Sequence, residues 1–242
     1  MVALRAALIE QGDPEIGQEL IHVTHPDGSV EELRLHEYER LYALPGVYEQ
    51  IVQERLGCAS PAKIASLLGA AVDGAGWARA DVRVIDVAAG NGISGEALAA
   101  ERLHPVFGTD IVPAAREAAL RDRPRLYDEY LTLDLLALTA EQGRRLRSLR
   151  ANALTCVAPV GEDASQVPAA AFLEAVSVLT DDALVAYMHD PNHGVDDVIT
   201  PELWRERLGA EATELARERY RHRRTVNGAP FDMVGVVWRV RG

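Results

Sequence analysis

The stretch Val82-Arg-Val-Ile-Asp-Val-Ala-Ala-Gly-Asn-Gly-Ile-Ser-Gly95 joins a short apolar run, one acidic residue and a glycine-rich turn. The β-branched residues of the apolar run are typical of a buried parallel strand. Gly90 and Gly92 have no Cβ, so the backbone can turn tightly there and approach a ligand closely. A helix predicted over residues 96–103 directs its N-terminus at that ligand. The pattern therefore predicts a strand, a loop and a helix that bind a nucleotide-containing cofactor.

A second strand is predicted to end at Asp110, in the stretch Phe107-Gly-Thr-Asp-Ile-Val112. An acidic residue there can accept hydrogen bonds from ribose hydroxyls. The residues from Gly90 to Gly95 also satisfy the G-x-G-x-x-G pattern of NAD sites, although this pattern alone is weakly specific. Asp86 argues against NAD, because a carboxylate at the tip of the first strand repels a pyrophosphate but favours the ammonium group of S-adenosylmethionine.

The segment from Asp86 to Gly92 resembles motif I of the class I S-adenosylmethionine-dependent methyltransferases, with Ala88 in place of the first glycine of the motif. The resemblance implies that Asp110 holds the ribose and that the next residue, Ile111, packs on the adenine. S-adenosylmethionine is therefore the expected cofactor.

Later segments resemble further landmarks of this family, in the same order. Residues 130–135 resemble its third strand, 153–161 its fourth strand and the loop beside the methyl donor, and 183–190 its fifth strand. The resemblance implies that Asp134 lies near the adenine amino group, where a carboxylate can accept an N–H. Asp134 could instead cap the helix that follows it. Within the family, the stretch Arg125-Leu-Tyr-Asp-Glu-Tyr-Leu131 resembles sequence found in the Williams–Beuren-region methyltransferase-like proteins.

These motifs predict a cofactor site formed by the glycine loop, by the ends of the next strands and by a tyrosine that precedes them. The predicted cofactor-binding residues are Asp86, Ala88, Gly90, Asn91, Gly92, Asp110, Ile111, Asp134, Leu135, Ala158 and Tyr42. In the family that the chain resembles, an N-terminal aromatic residue often covers the cofactor, which is the role expected of Tyr42. Amphipathic helix packing explains the spacing of Tyr38, Tyr42 and Tyr48 equally well.

The composition excludes several classes of function. The chain has 242 residues, 48% of them apolar, and a formal net charge of −12 with Lys63 as its sole lysine. Such an acidic protein is a poor general binder of nucleic acid or anionic membranes. Cys58 and Cys156 lack metal-ligand spacing, so we expect reduced thiols and no metal site. No apolar run reaches the ~18 residues of a membrane span, and no export signal is evident, so the expected location is the cytoplasm.

The chain is predicted to form an α/β protein with two parts. Residues 1–76 are expected to be a mainly helical cap, with a helix over residues 2–9, a hairpin around Asp27-Gly28 and helices between residues 36 and 68, where Ser60 caps the last one. Residues 77–242 are expected to form the S-adenosylmethionine-binding core. The resemblance implies a Rossmann-like, seven-stranded, mostly parallel sheet. It ends in a C-terminal antiparallel hairpin around Asn227-Gly228, which dinucleotide-binding folds lack.

The methyl acceptor is less clearly indicated. His189, at the end of the fifth strand, is the one candidate general base, and the alternative is that it forms only the structural end of the strand. The alternating Arg217, Arg219, Arg221 and Arg223 would share one face of a strand, either to bind an acidic substrate or as a solvated surface. No N/D-P-P-Y/F signature of amine methylation in nucleic acids occurs, so a small metabolite methylated on oxygen or nitrogen is the expected substrate. The alternatives are a non-catalytic S-adenosylmethionine- or S-adenosylhomocysteine-binding protein and an NAD(P)-dependent oxidoreductase.

Overall fold

A twisted central sheet organises the protein, for which a computed structural model describes residues 4–10, 12, 16–161, 166–192 and 199–242. Its strands are β4 (Arg83–Val87), β5 (His104–Asp110), β6 (Glu129–Thr132), β7 (Ala153–Gly161), β9 (Asp182–His189), β10 (Glu211–Arg224) and β11 (Pro230–Arg241). They lie in the order β10-β11-β9-β7-β4-β5-β6, and the two-residue strand β8 (Val167–Pro168) pairs with the end of β7. Strands β6, β5, β4, β7 and β9 are parallel, whereas β11 is antiparallel to both β9 and β10. The predicted sheet and its C-terminal hairpin are thus confirmed.

Helices cover both faces of this sheet, because the strands are apolar on both sides. They are α2 (Ser60–Gly74), α3 (Ile93–Ala100), α4 (Pro113–Asp122), α5 (Ala140–Ser148), α6 (Ala169–Val176) and α7 (Pro201–Leu208). One face packs against α2 and α3, with Met188 of β9 in that cluster. The other face packs against α5, α6 and α7, and Tyr187 belongs to it. Neighbouring residues of β9 therefore serve opposite layers, as the period of two requires.

The N-terminal region contains a small sheet of its own. Strands β1 (Arg5–Leu8), β2 (Leu20–Thr24) and β3 (Val30–Arg34) form an antiparallel sheet in that order. A helix was predicted over residues 2–9, but the described part of this segment forms strand β1, which pairs with β2. The prediction failed because so short an apolar run is compatible with a helix or a strand. The hairpin around Asp27-Gly28 is confirmed, with Gly28 in the left-handed region at φ +86°. The division of the chain at residue 76 stays a prediction.

Two helical segments follow the small sheet, namely α1 (Tyr38–Ala43) and a π-helix over Glu49–Arg55. The helix α2 then begins at Ser60, but the predicted Ser60 cap is wrong, because Ala59 occupies the cap position. The Ser60 hydroxyl lies instead 2.7 Å from the Tyr220 hydroxyl and 2.6 Å from Nδ1 of His222, both on β10. The Ser60 side chain thus makes long-range hydrogen bonds instead of the local helix cap that the sequence predicted.

Strand β10 ties the N-terminal region to the central sheet. The Arg223 guanidinium, on β10, pairs with the Glu19 carboxylate, and the two side chains are only 4% and 2% exposed. The backbone N–H of Ala59 donates to the His222 carbonyl at 2.8 Å, and that of Arg224 donates to the Leu56 carbonyl at 2.8 Å. These contacts hold the N-terminal region over the carboxyl ends of the parallel strands, where open α/β sheets place their ligand sites.

Within the described residues, no helix has both the length and the apolar character needed to cross a membrane. In the same part of the chain, no cluster of three or more His, Cys, Asp and Glu side chains is arranged to hold a metal ion.

Candidate cofactor-binding site

The loop that connects β4 to α3 has an unusual backbone. Ala88, Gly90 and Gly92 have φ angles of +52°, +54° and +91°, all in the left-handed region. Glycine adopts this conformation freely, whereas alanine adopts it at an energetic cost. The loop nevertheless keeps this conformation with Ala88 in the place of the first motif glycine. A Cβ on Gly90 would lie 2.5 Å from the Tyr42 hydroxyl oxygen. The loop therefore turns tightly, and a tyrosine lies directly over it.

Asp86 lies beneath the loop and is completely buried. Its Oδ2 accepts hydrogen bonds from the Ser94 hydroxyl at 2.6 Å and the Tyr127 hydroxyl at 2.7 Å. The Thr155 hydroxyl donates to Oδ1 at 2.9 Å. Burial raises the pKa of Asp86 to about 6, and the three hydroxyls oppose this rise. Asp86 therefore has no exposed surface, whereas Ser94, which donates to it, lines a cavity beside the loop.

Two tyrosines that the sequence analysis did not select support the same loop. The Tyr130 hydroxyl donates to the Gly90 carbonyl at 2.7 Å, while Tyr127 reaches Asp86. The Tyr127 ring also lies so close to Gly95 that a Cβ there would overlap its hydroxyl. The only hint in the sequence was the position of both tyrosines just before or within the third strand of the parallel core.

Asp110 ends β5 beside the loop, as predicted. Its Oδ2 accepts from the Gly90 backbone N–H at 3.0 Å, and its Oδ1 accepts from the Val112 backbone N–H at 3.0 Å. Burial raises the pKa of Asp110 above its usual value. A carboxylate offers about four lone-pair positions, so each oxygen keeps capacity for another donor.

A cavity of about 310 Å³ lies at Asp110, between the ends of β5, β6 and β7. Ile111 lines it although its side chain is 64% exposed, which is unusual for a large apolar residue. Asp134, Leu135 and Ala158 also line this cavity. The Oδ1 of Asp134 accepts from the Leu136 N–H at 2.9 Å, so it caps the 3-10 turn that follows while it faces the cavity.

Three tyrosines cover the loop. Tyr38 stacks on Tyr42 with ring centroids 5.7 Å apart, and Tyr42 contacts Tyr48 at 5.2 Å. All three line the cavity at Asp110 and also a second cavity next to it, so the two cavities adjoin each other, and together we name them the cleft. Burial raises the pKa of Tyr42 well above its usual value, so its hydroxyl stays protonated.

A polar network joins the loop to the N-terminal region. The Asn91 side-chain amide donates to Oε1 of Glu49 at 2.7 Å, and Nη1 of Arg123 donates to the same oxygen at 3.1 Å. The same nitrogen of Arg123 also lies 3.1 Å from the Asn91 carbonyl. Asn91 thus holds the loop in place through partners that are distant in sequence.

The second cavity, which we name the inner chamber, has a volume of about 560 Å³. It continues from the glycine loop to the carboxyl end of β9 and the distal end of β10. Its wall on that side includes Cys58, Met188, Asp190, His222 and Phe231. None of these residues was selected as a site residue in the sequence analysis.

His189 lies outside both cavities. Met188 lines the inner chamber, and because side chains alternate along a strand, His189 points to the opposite face of β9. There it lines a separate cavity with Arg217, whose Nη1 lies 3.5 Å from Nε2 of His189. The geometry therefore gives no support to His189 as the base.

The four alternating arginines do not share one face. Arg217 and Arg219 line the cavity at His189, whereas Arg223 is buried against Glu19 and lines the inner chamber. A register shift between Arg221 and Arg223 explains the difference, because a β-bulge adds a residue and changes which side the strand presents.

Comparisons with known proteins extend these observations. No protein-family model matches the sequence, and a search of curated proteins finds no match. Among solved structures, a SAM-dependent methyltransferase from Anabaena variabilis is similar with a TM-score of 0.55 and 14% identity, over 86% of this chain and 95% of that one. The CurJ carbon methyltransferase has a TM-score of 0.55 and 15% identity, over 85% of this chain and 61% of that one.

A candidate RNA methyltransferase from Pyrococcus horikoshii is similar with a TM-score of 0.51 and 16% identity, over 73% of this chain and 82% of that one. At such low identity these likenesses establish the fold of the chain and nothing more. Together with the strand order and the antiparallel β11, they show that the chain has the fold of the class I S-adenosylmethionine-dependent methyltransferases.

Proposed function

We propose that the protein binds S-adenosylmethionine in the cleft and transfers its methyl group to oxygen or nitrogen of a small molecule. The observation that carries this proposal is the presence of two adjoining cavities that share Ala88 of the glycine loop and the three tyrosines as lining residues. One cavity adjoins Asp110 and the other adjoins Ser94 and Met188. A two-substrate transfer needs such an arrangement, because the donor and the acceptor must meet in line at the transferred group.

The residues of the cavity at Asp110 fit the adenosine part of the cofactor. Asp110 retains lone pairs for two ribose hydroxyls, and the exposed Ile111 offers an apolar surface to a base. Asp134 can accept a hydrogen bond from an exocyclic amine at the edge of that cavity.

The loop fits the remaining part of the cofactor. Gly90 and Asn91 line the inner chamber together with the start of α3. Ser94, whose hydroxyl is held by Asp86, lines the chamber next to the loop. The buried negative charge of Asp86 favours a cationic group at this position.

The cofactor would supply an electrophilic methyl group, and the protein has three tasks in its transfer. Asp110 and the glycine loop orient the donor, the tyrosines over Gly90 exclude water, and the inner chamber holds the acceptor. Orientation and the exclusion of water account for much of the acceleration in reactions of two bound molecules.

Thermal melts with S-adenosylhomocysteine and with NADH test the proposal. A ligand at a hundredfold excess over its dissociation constant adds about 2.7 kcal/mol to stability if it binds only the native state. We expect a clear increase in Tm with S-adenosylhomocysteine and none with NADH. A larger increase with NADH would overturn the proposal in favour of an oxidoreductase.

An acceptor screen that measures S-adenosylhomocysteine release from S-adenosylmethionine tests the catalytic part. We expect turnover with at least one small hydroxyl or amine compound. Tight cofactor binding without any turnover across a broad panel would favour a non-catalytic binding protein instead.

A further inference from the structure

Part of the wall of the inner chamber, away from the glycine loop, is formed by apolar side chains. Val52, Met188, Phe231 and Met233 contribute side chains there, together with Pro61 at the start of α2. Burial of apolar ligand surface against such a wall is favourable at roughly 25 cal/mol per Å². The wall therefore suits a molecule with an apolar body.

The two charged side chains among the described residues of this wall already have partners. Arg223 is 4% exposed, pairs with Glu19 and lies 5.6 Å from the centre of the Phe231 ring. Asp190 accepts hydrogen bonds from the Asn192 backbone N–H at 2.8 Å and from its side-chain amide at 3.0 Å. An anionic ligand group would lose its hydration here without gaining a free counter-ion, because Glu19 already neutralises Arg223. A cationic group would gain only Asp190, a partly exposed carboxylate that already bonds to Asn192, and pairs with such carboxylates contribute little.

A chain of hydroxyl groups contacts Nδ1 of His222, and we assign to it the order of protons that ends on Met188. The Tyr220 hydroxyl donates to Sδ of Met188 at 3.3 Å, so its oxygen is available to accept from Ser60 at 2.7 Å. Ser60 has a single proton, which this bond uses. With this order of protons, Nδ1–H of His222 is the donor in its 2.6 Å contact with Ser60.

In this arrangement Nε2 of His222 carries a lone pair. The described part of the chain provides no hydrogen-bond partner for this atom, and the His222 ring lines the inner chamber. Burial, aided by the neighbouring Arg223 charge, lowers the pKa of His222 to about 4, so the ring is neutral at physiological pH. A neutral imidazole nitrogen is an acceptor for one hydroxyl or amine proton.

We propose that the inner chamber is the acceptor site and binds an uncharged, largely apolar molecule through a hydrogen bond from its hydroxyl or neutral amine to Nε2 of His222. The identification of the bound molecule as the methyl acceptor rests on the proposed function, but its binding to the chamber can be measured separately. Ser60 and Tyr220 act as positioning residues, because they orient the His222 ring without lining the chamber themselves.

Three probes that share one ring system test the charge requirement. The probes are 2-naphthol, 2-naphthoate and 2-naphthylmethylammonium, each titrated by calorimetry into the full chain with and without saturating S-adenosylhomocysteine. We expect 2-naphthol to bind at least tenfold more tightly than either charged probe. Equal or tighter binding of 2-naphthoate or of the ammonium probe would overturn the proposal.

Variants test the role of His222. His222→Ala should weaken 2-naphthol binding by roughly tenfold, the equivalent of about one net hydrogen bond. His222→Gln, which keeps an acceptor oxygen, should recover part of this loss. Ser60→Ala should weaken binding less than His222→Ala. The matched control is His189→Ala, which removes a histidine from the other face of β9 and should leave 2-naphthol affinity unchanged.

The readouts separate this inference from the proposed function. Unchanged S-adenosylhomocysteine affinity in the His222 variants shows that they are folded, and a loss confined to 2-naphthol then supports the inference. If His222→Ala and His222→Gln weaken 2-naphthol binding no more than His189→Ala does, the inference is wrong even though the cofactor binds. If S-adenosylhomocysteine fails to bind but 2-naphthol binding still depends on His222, the chamber inference stands and the proposed function fails.

Discussion

The buried carboxylate of Asp86 yields a prediction about stability and pH. Asp86→Asn replaces a carboxyl group that has no exposed surface and that accepts three hydroxyl hydrogen bonds. Hydroxyl groups can rotate to accept from the new amide, so most of these bonds can be kept. The main change is therefore the removal of a titratable group.

The expected magnitude follows from the pKa of Asp86, which burial raises from 3.8 to about 6. A pKa raised in the folded state contributes stability that is complete below the unfolded pKa and is lost as the pH rises through the folded pKa. The difference in pKa corresponds to a loss of about 3 kcal/mol of unfolding free energy by pH 8, and of about half that by pH 5. Asp86→Asn does not suffer this loss.

Urea unfolding of both proteins at pH 5 and pH 8 measures the effect. The advantage of Asp86→Asn over the wild type in unfolding free energy should be larger at pH 8 than at pH 5 by roughly 1 kcal/mol, which is the part of the titration that lies between the two pH values. Any pH-independent cost of rearranged hydrogen bonds cancels in this comparison. Asp181→Asn, at an exposed aspartate just before β9, is the matched control and should show no comparable change. The same stability difference at both pH values for Asp86→Asn would refute the raised pKa.

Three further outcomes are expected at the cleft. Asp110→Asn should weaken S-adenosylhomocysteine binding at least ~tenfold in calorimetry, because hydrogen bonds to a charged group contribute ~1.5–3 kcal/mol each; a folded variant with unchanged affinity would remove Asp110 from the site. Tyr42→Ala should weaken the same binding and speed dissociation in stopped-flow measurements, because it uncovers Gly90, whereas Tyr42→Phe should retain the wild-type values; equal effects of the two changes would contradict a covering role for the ring. His189→Ala should leave both cofactor affinity and turnover on any accepted substrate near wild type, since its side chain lies on the opposite face of β9; a ~10²-fold loss of turnover, as for a missing general base, would show that the cleft extends to that face.

The parts of the molecule that the sequence predicted well depend on short-range patterns. The apolar strand before Gly90 and the acid at Asp110 each lie within a few residues of the feature they define, and the C-terminal hairpin has a recognisable turn at Asn227-Gly228. Glycine conformation and strand periodicity are local properties, so such segments can be interpreted without knowledge of the rest of the chain.

The composition of the cleft beyond the loop was decided by tertiary structure. A β-bulge near Arg221 moved Arg223 to another face, and the pairing of β9 turned His189 away from the cleft while it brought Met188 in. Neither event leaves a local signal, because a shift of one residue reverses the side that a strand presents.

The same reason applies to the polar contacts. Ser60 has the position of a helix cap in the sequence, but its hydroxyl finds Tyr220 and His222 about 160 residues further along the chain. The place of Asp86 in the motif predicts the glycine loop from sequence. Its pKa, in contrast, depends on its burial beneath Tyr127 in the folded chain. The sequence by itself determined the fold and the position of the cofactor loop. Only the folded chain decided which side chains surround that loop, because hydrogen bonding and desolvation depend on neighbours that are distant in sequence.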